Sequence, residues 1–304
     1  MKRQLITDAL TTEFVQGVLG LDDPEAVAAA ARRITDAEIL EAVLSRRSTL
    51  KSKDFRDYRY TQDQSRRLLR KQIGEELTKR QRLTNDDHIA LKKGGARPRT
   101  ALQSQSQAFI LIGLPASGKS TVASTVADHY GAIVLDSDYA KRKFPEFDRV
   151  FGASLVHDES ALVVFGNPQY PMEYPVINYC TDRKHNVVIP KIGNNEEAIV
   201  PLAETLQKAG YQVHLTLVNL DRLQATQRAY SRFLTSDRYV SLTLIYDVFG
   251  NEPQLTFQRL KENQNPAFTS YGSISTNVPR DAPFLFMSGD AANPATLYQK
   301  STHA

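Results

Sequence analysis

The chain has 304 residues but no tryptophan, a single cysteine (Cys180) and only three methionines. One cysteine excludes an internal disulfide, and with it the class of small scaffolds stapled by several bridges. No apolar run approaches the ~20 residues that a membrane-spanning helix needs. The N-terminal stretch MKRQLITDALTTEF carries basic residues but no apolar segment long enough for a signal peptide. The six histidines (His88, His129, His157, His185, His214 and His303) are scattered without the spacing of a metal-ligand set. These absences predict a cytoplasmic protein without a membrane partner.

What is present suits an ordinary globular chain: 41% hydrophobic and 24% charged residues allow one large domain or two smaller ones. The net charge of +4 is unevenly spread, since residues 1–100 hold 21 Lys and Arg against 15 Asp and Glu, and the remainder holds 17 against 19. A basic front fits nucleic acid, docking on an acidic neighbour, or solubility alone.

Helix signals dominate that front. In DDPEAVAAAARRI, Pro24 follows Asp23 at a helix start, and TDAEILEAVLSRR places Thr35 three residues before Glu38, the spacing of a second cap. QDQSRRLLRKQIGEELTKRQRL reads as a longer charged helix, and no strand is expected before residue 108. Residues 92–107, KKGGARPRTALQSQSQ, lack periodicity and read as a linker. The division is therefore a small all-α domain over 1–91, the linker over 92–107 and a second domain over 108–304. In that second domain the apolar runs FILIG (109–113), AIVLD (132–136), NVVIP (186–190) and VHLTLVNL (213–220) alternate with helical patterns such as NNEEAIVPLAETLQKAG, closed by Gly210. Such alternation predicts a three-layer α/β/α fold on a parallel sheet with right-handed crossovers. The tail from about residue 263 is rich in Asn, Pro, Ser and Gly and is expected to be mostly loop.

The chemistry concentrates in GLPASGKST, Gly113 to Thr121, which fits the phosphate-binding pattern of Gly, four residues, Gly, Lys and a hydroxyl residue. An apolar strand precedes it and a helix pattern follows, as that loop requires. Gly113, Pro115, Ala116, Ser117, Gly118, Lys119, Ser120 and Thr121 are the candidate triphosphate cradle. Their amides and the positive end of the helix attract phosphate oxygens, Lys119 reaches the outer phosphates, and Ser120 ligates magnesium. ATP and Mg2+ are the expected cofactors.

The second strand runs into LDSDYAKRKFPEFD, so Asp136 and Asp138 stand where a parallel sheet presents its ligands. One of the two carboxylates can orient magnesium through water while the other accepts a hydroxyl proton; alternatively they cap the next helix. Downstream lie Arg222, Arg228, Arg232 and Arg238, of which Arg228 and Arg232 share a helix face. They suit a lid over a triphosphate, or simply a solvated helix. The Asn-Lys-x-Asp motif of GTPases and an apolar strand ending in Asp-Glu are both absent.

Over about residues 105–262 the chain resembles the zeta toxin family of P-loop kinases, on GLPASGKST, LDSDYAKRKFPEFD and QRAYSRF. That resemblance implies phosphorylation of UDP-N-acetylglucosamine on its amino-sugar, with Asp138 as catalytic base, Lys119 on the triphosphate, Ser120 on the metal, and Arg228 and Arg238 as lid arginines; from the residues themselves, Asp136 is the further candidate for the metal and Arg232 for the nucleotide. The chain departs from the family where His-Pro is replaced by Phe144-Pro145 and where a strand that often ends in Glu-Gly-Thr reads Ile189-Pro190-Lys191. An acid contacting the sugar nucleotide falls near Glu173 or Tyr174. A related branch phosphorylates nicotinamide dinucleotide, so that acceptor stays open beside a polynucleotide, and so does a regulatory protein that binds ATP without transfer. Zeta kinases are held inactive by a separate helical antitoxin; here the chain's own basic front is expected to inhibit in cis.

Overall fold

The computed structural model describes residues 3–170, 174–236, 238–279 and 282–299. Its centre is a six-stranded sheet of β1 (Gln107–Ile112), β2 (Ile133–Val134), β3 (Val187–Lys191), β4 (Gln212–Asn219), β5 (Ser270–Ser275) and β6 (Leu285–Gly289), in the order β2-β3-β1-β4-β5-β6. All pairings are parallel except β5 with β6. The apolar run of β1 is buried throughout, Phe109 lying in register with Val188 on one side and His214 on the other. Strands added later in the chain flank β1 on both sides, so the crevice beyond its carboxyl end is the switch point where such sheets bind ligands.

The helices are α1 (Asp8–Phe14), α2 (Pro24–Leu44), α3 (Asp63–Lys79), α4 (Lys119–Tyr130), α5 (Ser137–Lys141), α6 (Gly152–Leu155), α7 (His157–Phe165), α8 (Val176–Asp182), α9 (Val200–Lys208), α10 (Arg222–Ser236) and α11 (Glu252–Glu262). The α/β expectation holds, with α4 against β1, β2 and β3, and with α9 and α11 against β4. Asp23 caps α2 by accepting from Ala26 N at 2.8 Å, and Pro24 takes the first turn as its missing N–H allows. Thr35 does not begin a second helix. It lies inside α2, its hydroxyl 2.8 Å from that of Thr11, because the alanine-rich run continues without a breaker.

Two expectations need amending. The tail is loop over much of its described length, but it also carries β5 and β6, which extend the sheet there. β5 reads SYGSIS, whose small polar residues carry a weak strand signal, yet its buried hydroxyls are answered: Ser270 Oγ meets His214 Nδ1 at 2.7 Å and Asn293 Nδ2 at 3.2 Å. Residues 92–107 do not separate two domains. Ala96 is buried, its N–H donates to Leu77 O and its carbonyl accepts from Val134 N, both at 2.9 Å. Gly95 passes so close to α3 that a Cβ would lie 2.3 Å from Arg80 O. Leu69, Ile73, Leu77 and Ile89 belong to the same apolar core as β1.

The front therefore divides within itself. Residues 3–44 form a second apolar cluster in which Phe14, Val15, Val18, Val27 and Ile34 pack with Leu114, Leu220, Ala225, Ala229, Leu242 and Ile245. Residues 46–91 share the core of the sheet and add a buried ionic cluster to it. Arg66 is fully buried, donating to Glu159 Oε1 and Oε2 at 2.8 and 2.7 Å and to Glu146 Oε1 at 2.8 Å, with its guanidinium 4.8 Å above the Phe144 ring. Arg70 and Thr49 complete Glu159, and Asp57 N completes Glu146. Burial opposes the charge on Glu159, but these donors outweigh it and hold the carboxyl below its usual range. Arg66→Met would leave two buried carboxylates facing each other, and a loss of about 3–5 kcal/mol is expected in denaturant unfolding. A loss below ~1 kcal/mol would mean that the cluster relaxes into water.

Candidate active site

β1 ends in a loop whose shape follows from its glycines. At Gly113 a Cβ would stand 2.5 Å from Val218 O of β4 and 3.0 Å from Ser117 Oγ, so only glycine lets the loop leave the sheet here. Ala116 and Gly118 take left-handed conformations, φ 60° and 83°, and Ser117 N donates to Leu114 O at 3.1 Å to close the turn. α4 starts at Lys119, so the Lys119 and Ser120 amides lie in a first turn that has no intrahelical acceptor for them. They present donors and the positive helix end to the cradle. Lys119 Nζ donates to Gly113 O at 2.7 Å and Leu114 O at 2.5 Å, an arrangement that phosphate oxygens can replace. Ser117 Oγ is buried beside Gly113 without a partner. Pro115 and Ala116 are half-buried, while Ser120 and Thr121 are exposed. Converging amides, an ammonium, an orphaned hydroxyl and an exposed serine suit a nucleotide triphosphate with its magnesium.

The two aspartates take different roles. Asp136 caps α5, accepting from Asp138 N at 2.9 Å, so the capping alternative holds for this residue. Burial, and then the neighbouring Asp138 charge, push its carboxyl up to about 6. Asp138 is exposed and pairs with Lys141 at 2.7 Å. Desolvation would raise it, but Lys141, Arg142 and Arg232 hold it below the ordinary range. Burial pushes Lys119 down to about 8 against the pull of both aspartates, so ammonium and carboxylates face one electrostatic space.

The arginines do not act together. Arg232 is the one whose charge reaches Asp138. Arg228 instead donates to Thr276 O at 2.9 Å and Val278 O at 3.4 Å, bracing the segment after β5 that also bonds the loop through Thr276 Oγ1 to Ser117 O at 2.8 Å. With Gln224, Gln227, Ser231 and Asn277–Pro279 it lines an open cleft of about 590 Å³. Arg238 is drawn off to Asp87 Oδ1, at 2.6 Å. A helix pattern places arginines on a face but does not name their acceptors.

Other site neighbours carry no motif. Lys191 ends β3 beside β1, 3.8 Å over the Phe165 ring, and its charge reaches Asp136. Its place at a strand's carboxyl end was the available signal. His157 opens α7; burial lowers its pKa first, then the Lys141 charge, while Asp138 opposes. Tyr174 lies aside, bonded to Asp182 Oδ2 at 2.8 Å and to Arg183, and Glu173 falls outside the described residues.

The family model described as Zeta toxin matches residues 93–277. No curated protein matches. Among solved structures, one from the characterization of the PezAT chromosomal toxin-antitoxin system of the human pathogen Streptococcus pneumoniae is 14% identical, with 81% of this chain and 89% of that chain covered and a TM-score of 0.53. A gluconokinase from Sinorhizobium meliloti 1021 is 12% identical over 58% of this chain and 86% of its own, TM-score 0.32. At 14% identity the likeness to the first of these is one of fold.

The cradle's geometry separates its two glycines. Gly118→Ala meets nothing closer than 3.5 Å and should cost only the left-handed penalty of about 1–2 kcal/mol. Gly113→Ala must part the loop from β4 and should lose ATP binding by more than tenfold, about 1.4 kcal/mol. Calorimetric titration and thermal unfolding of both variants check the contrast, and equal effects would contradict the close approach to Val218.

Proposed function

Because the chain belongs to the zeta toxin family of P-loop kinases, we propose that it is an ATP- and magnesium-dependent kinase acting on a sugar hydroxyl of UDP-N-acetylglucosamine or a similar nucleotide sugar. The observation that carries this reading is the glycine-turned loop with Lys119 at the start of α4 beyond the carboxyl end of β1, with Asp136 and Asp138 following β2 of the same parallel sheet. Loop amides and Lys119 would hold the outer phosphates. Ser120, with Asp136 through water, would hold magnesium, which neutralises phosphate charge when bound.

Asp138 is the group left to receive the acceptor's proton. Its neighbours keep it ionised, it is solvent-accessible, and Asp136 holds its backbone by capping α5. Arg232 is the arginine of that series whose charge acts on Asp138, and Arg228 with Asn277–Pro279 offers a flank for the nucleotide base. Asp138→Asn should reduce transfer from labelled ATP at least a thousandfold, within the range for losing a general base, while ATP affinity changes less than about threefold. The assay runs across UDP-N-acetylglucosamine, related nucleotide sugars, nicotinamide dinucleotide and an oligonucleotide. Transfer to none of them, with ATP still bound, would favour a nucleotide-binding regulator.

We also propose inhibition in cis, confined to residues 3–44. Their apolar cluster includes Leu114 of the phosphate loop and Ala225 and Ala229 of α10, with Ala116 packed against it. Arg33 donates to Phe233 O at 3.3 Å, and Glu38 accepts from Tyr239 and Ser241, so α2 is fastened to the arginine-bearing helix and the segment after it. Such tethered contacts act at high effective concentration. Deleting residues 1–45, or Phe14→Asp in the full chain, should raise the transfer rate about tenfold or more by freeing loop and helix. An unchanged rate in both, with the fold intact, would end the proposal.

A further inference from the structure

Arg142 follows α5 one turn after Asp138, its N–H reaching Asp138 O at 3.3 Å, so the two side chains leave the helix on one face. Its guanidinium is nearly buried, and only Nη2 is answered, by Asp87 Oδ1 at 2.7 Å. Nε and Nη1 are buried without a partner. Arg238 approaches from beyond α10 and donates to that same Asp87 oxygen at 2.6 Å. Both guanidiniums lie over the Phe147 ring, each 5.5 Å from its centroid. Asp87 itself belongs to a one-turn 3₁₀ segment, Asp86–His88, and its side chain is more than half exposed.

This is an unbalanced arrangement. Two guanidiniums offer ten N–H donors to one carboxylate oxygen, and buried donors left unmet are costly. Arg142 bears both burial and repulsion from Arg238, which together lower its pKa. A phosphate offers more oxygens and more charge than a carboxylate, in the geometry that guanidinium forks accept. The position beside Asp138 is where a group attached to either reaction partner would pass.

We infer that Arg142 and Arg238, laid over Phe147, form a phosphate subsite beside Asp138, and that Asp87 of the front segment occupies it as an internal stand-in. Anion capture there does not depend on transfer; only the identity of the phosphate, acceptor's or donor's, rests on the kinase reading. The front segment thus touches the catalytic region by charge as well as through its apolar cap.

The test titrates the full-length chain with inorganic phosphate. Asp87→Asn should bind it about tenfold more tightly than the parent through a site that Arg142→Gln, added to Asp87→Asn, removes. No gain in Asp87→Asn, or a gain that survives Arg142→Gln, overturns the subsite; the double variant is required to keep the unfolding midpoint of Asp87→Asn, so that loss of fold cannot stand in for loss of the site. A second arm repeats the titration with saturating non-hydrolysable ATP analogue and magnesium. Persistence of the gain assigns the phosphate to the acceptor, and its loss assigns it to the donor's terminal group. A chain that transfers nothing but shows the gain loses the kinase reading and keeps the subsite.

Discussion

The buried guanidinium of Arg66 is the constraint from which the arrangement of this molecule follows. It cannot be stripped of its partners, because a charge without compensation in the interior costs far more than a surface ion pair returns. Its partners come from two places beyond β2: Glu146, in the turn after α5, and Glu159, in the first turn of α7. The helix bearing Arg66 is thus as much a part of the catalytic half as the sheet is. Phe144 fits the same logic. Where the family usually carries His-Pro, a buried aromatic face under Arg66 supplies attraction without adding a second cation.

Fixing α3 in this way leaves the first forty-odd residues as a different kind of attachment. They are held by apolar packing against Leu114, Leu220, Leu242 and Ile245, together with polar contacts of Arg3 to Asp247 and of Glu38 to Tyr239 and Ser241. An ionic cluster sealed in the core opens only when the fold opens. The two modes of attachment differ in kind: a buried ionic cluster at α3, and packing near Leu114 of the glycine loop on which the proposed inhibition in cis would rest.

The phosphate loop, the carboxylates beside it and the first four strands were legible because each is a local pattern: glycine spacing, an apolar run, a polar pair at a strand end. β5 was not, since its strand character comes from filling the edge of β4 and from Asn293, which bonds Leu215 O, Thr216 Oγ1 and Ser270 Oγ from far along the chain. The linker reading failed for a related reason. Glycine and alanine signal looseness in sequence, yet Gly95 and Ala96 are small because α3 and β2 close upon them. The arginines mark a third limit: the residue pattern marks Arg228 and Arg238 as candidates but does not name Thr276 O or Asp87 as their acceptors in this structure.

The electrostatics around Asp138 bear on how the proposed transfer would proceed. Lys141, Arg142 and Arg232 hold its carboxyl low, which makes it a poor base in the ground state. A strong base is not what phosphoryl transfer demands, because the transition state is loose and the attacking hydroxyl becomes acidic only late, as its bond to phosphorus forms. An ionised, fixed carboxylate suffices to orient that hydroxyl and to take its proton once transfer is under way. Asp136 sits under the opposite regime, buried and raised to about 6, and gains most from a cation placed beside it. The same pair of residue types two positions apart is thereby split into a carboxyl held low by neighbouring cations and one raised by burial. The division comes from Lys141 and Arg142 lying one turn further along α5 on the Asp138 side, while Asp136 spends an oxygen on the helix cap.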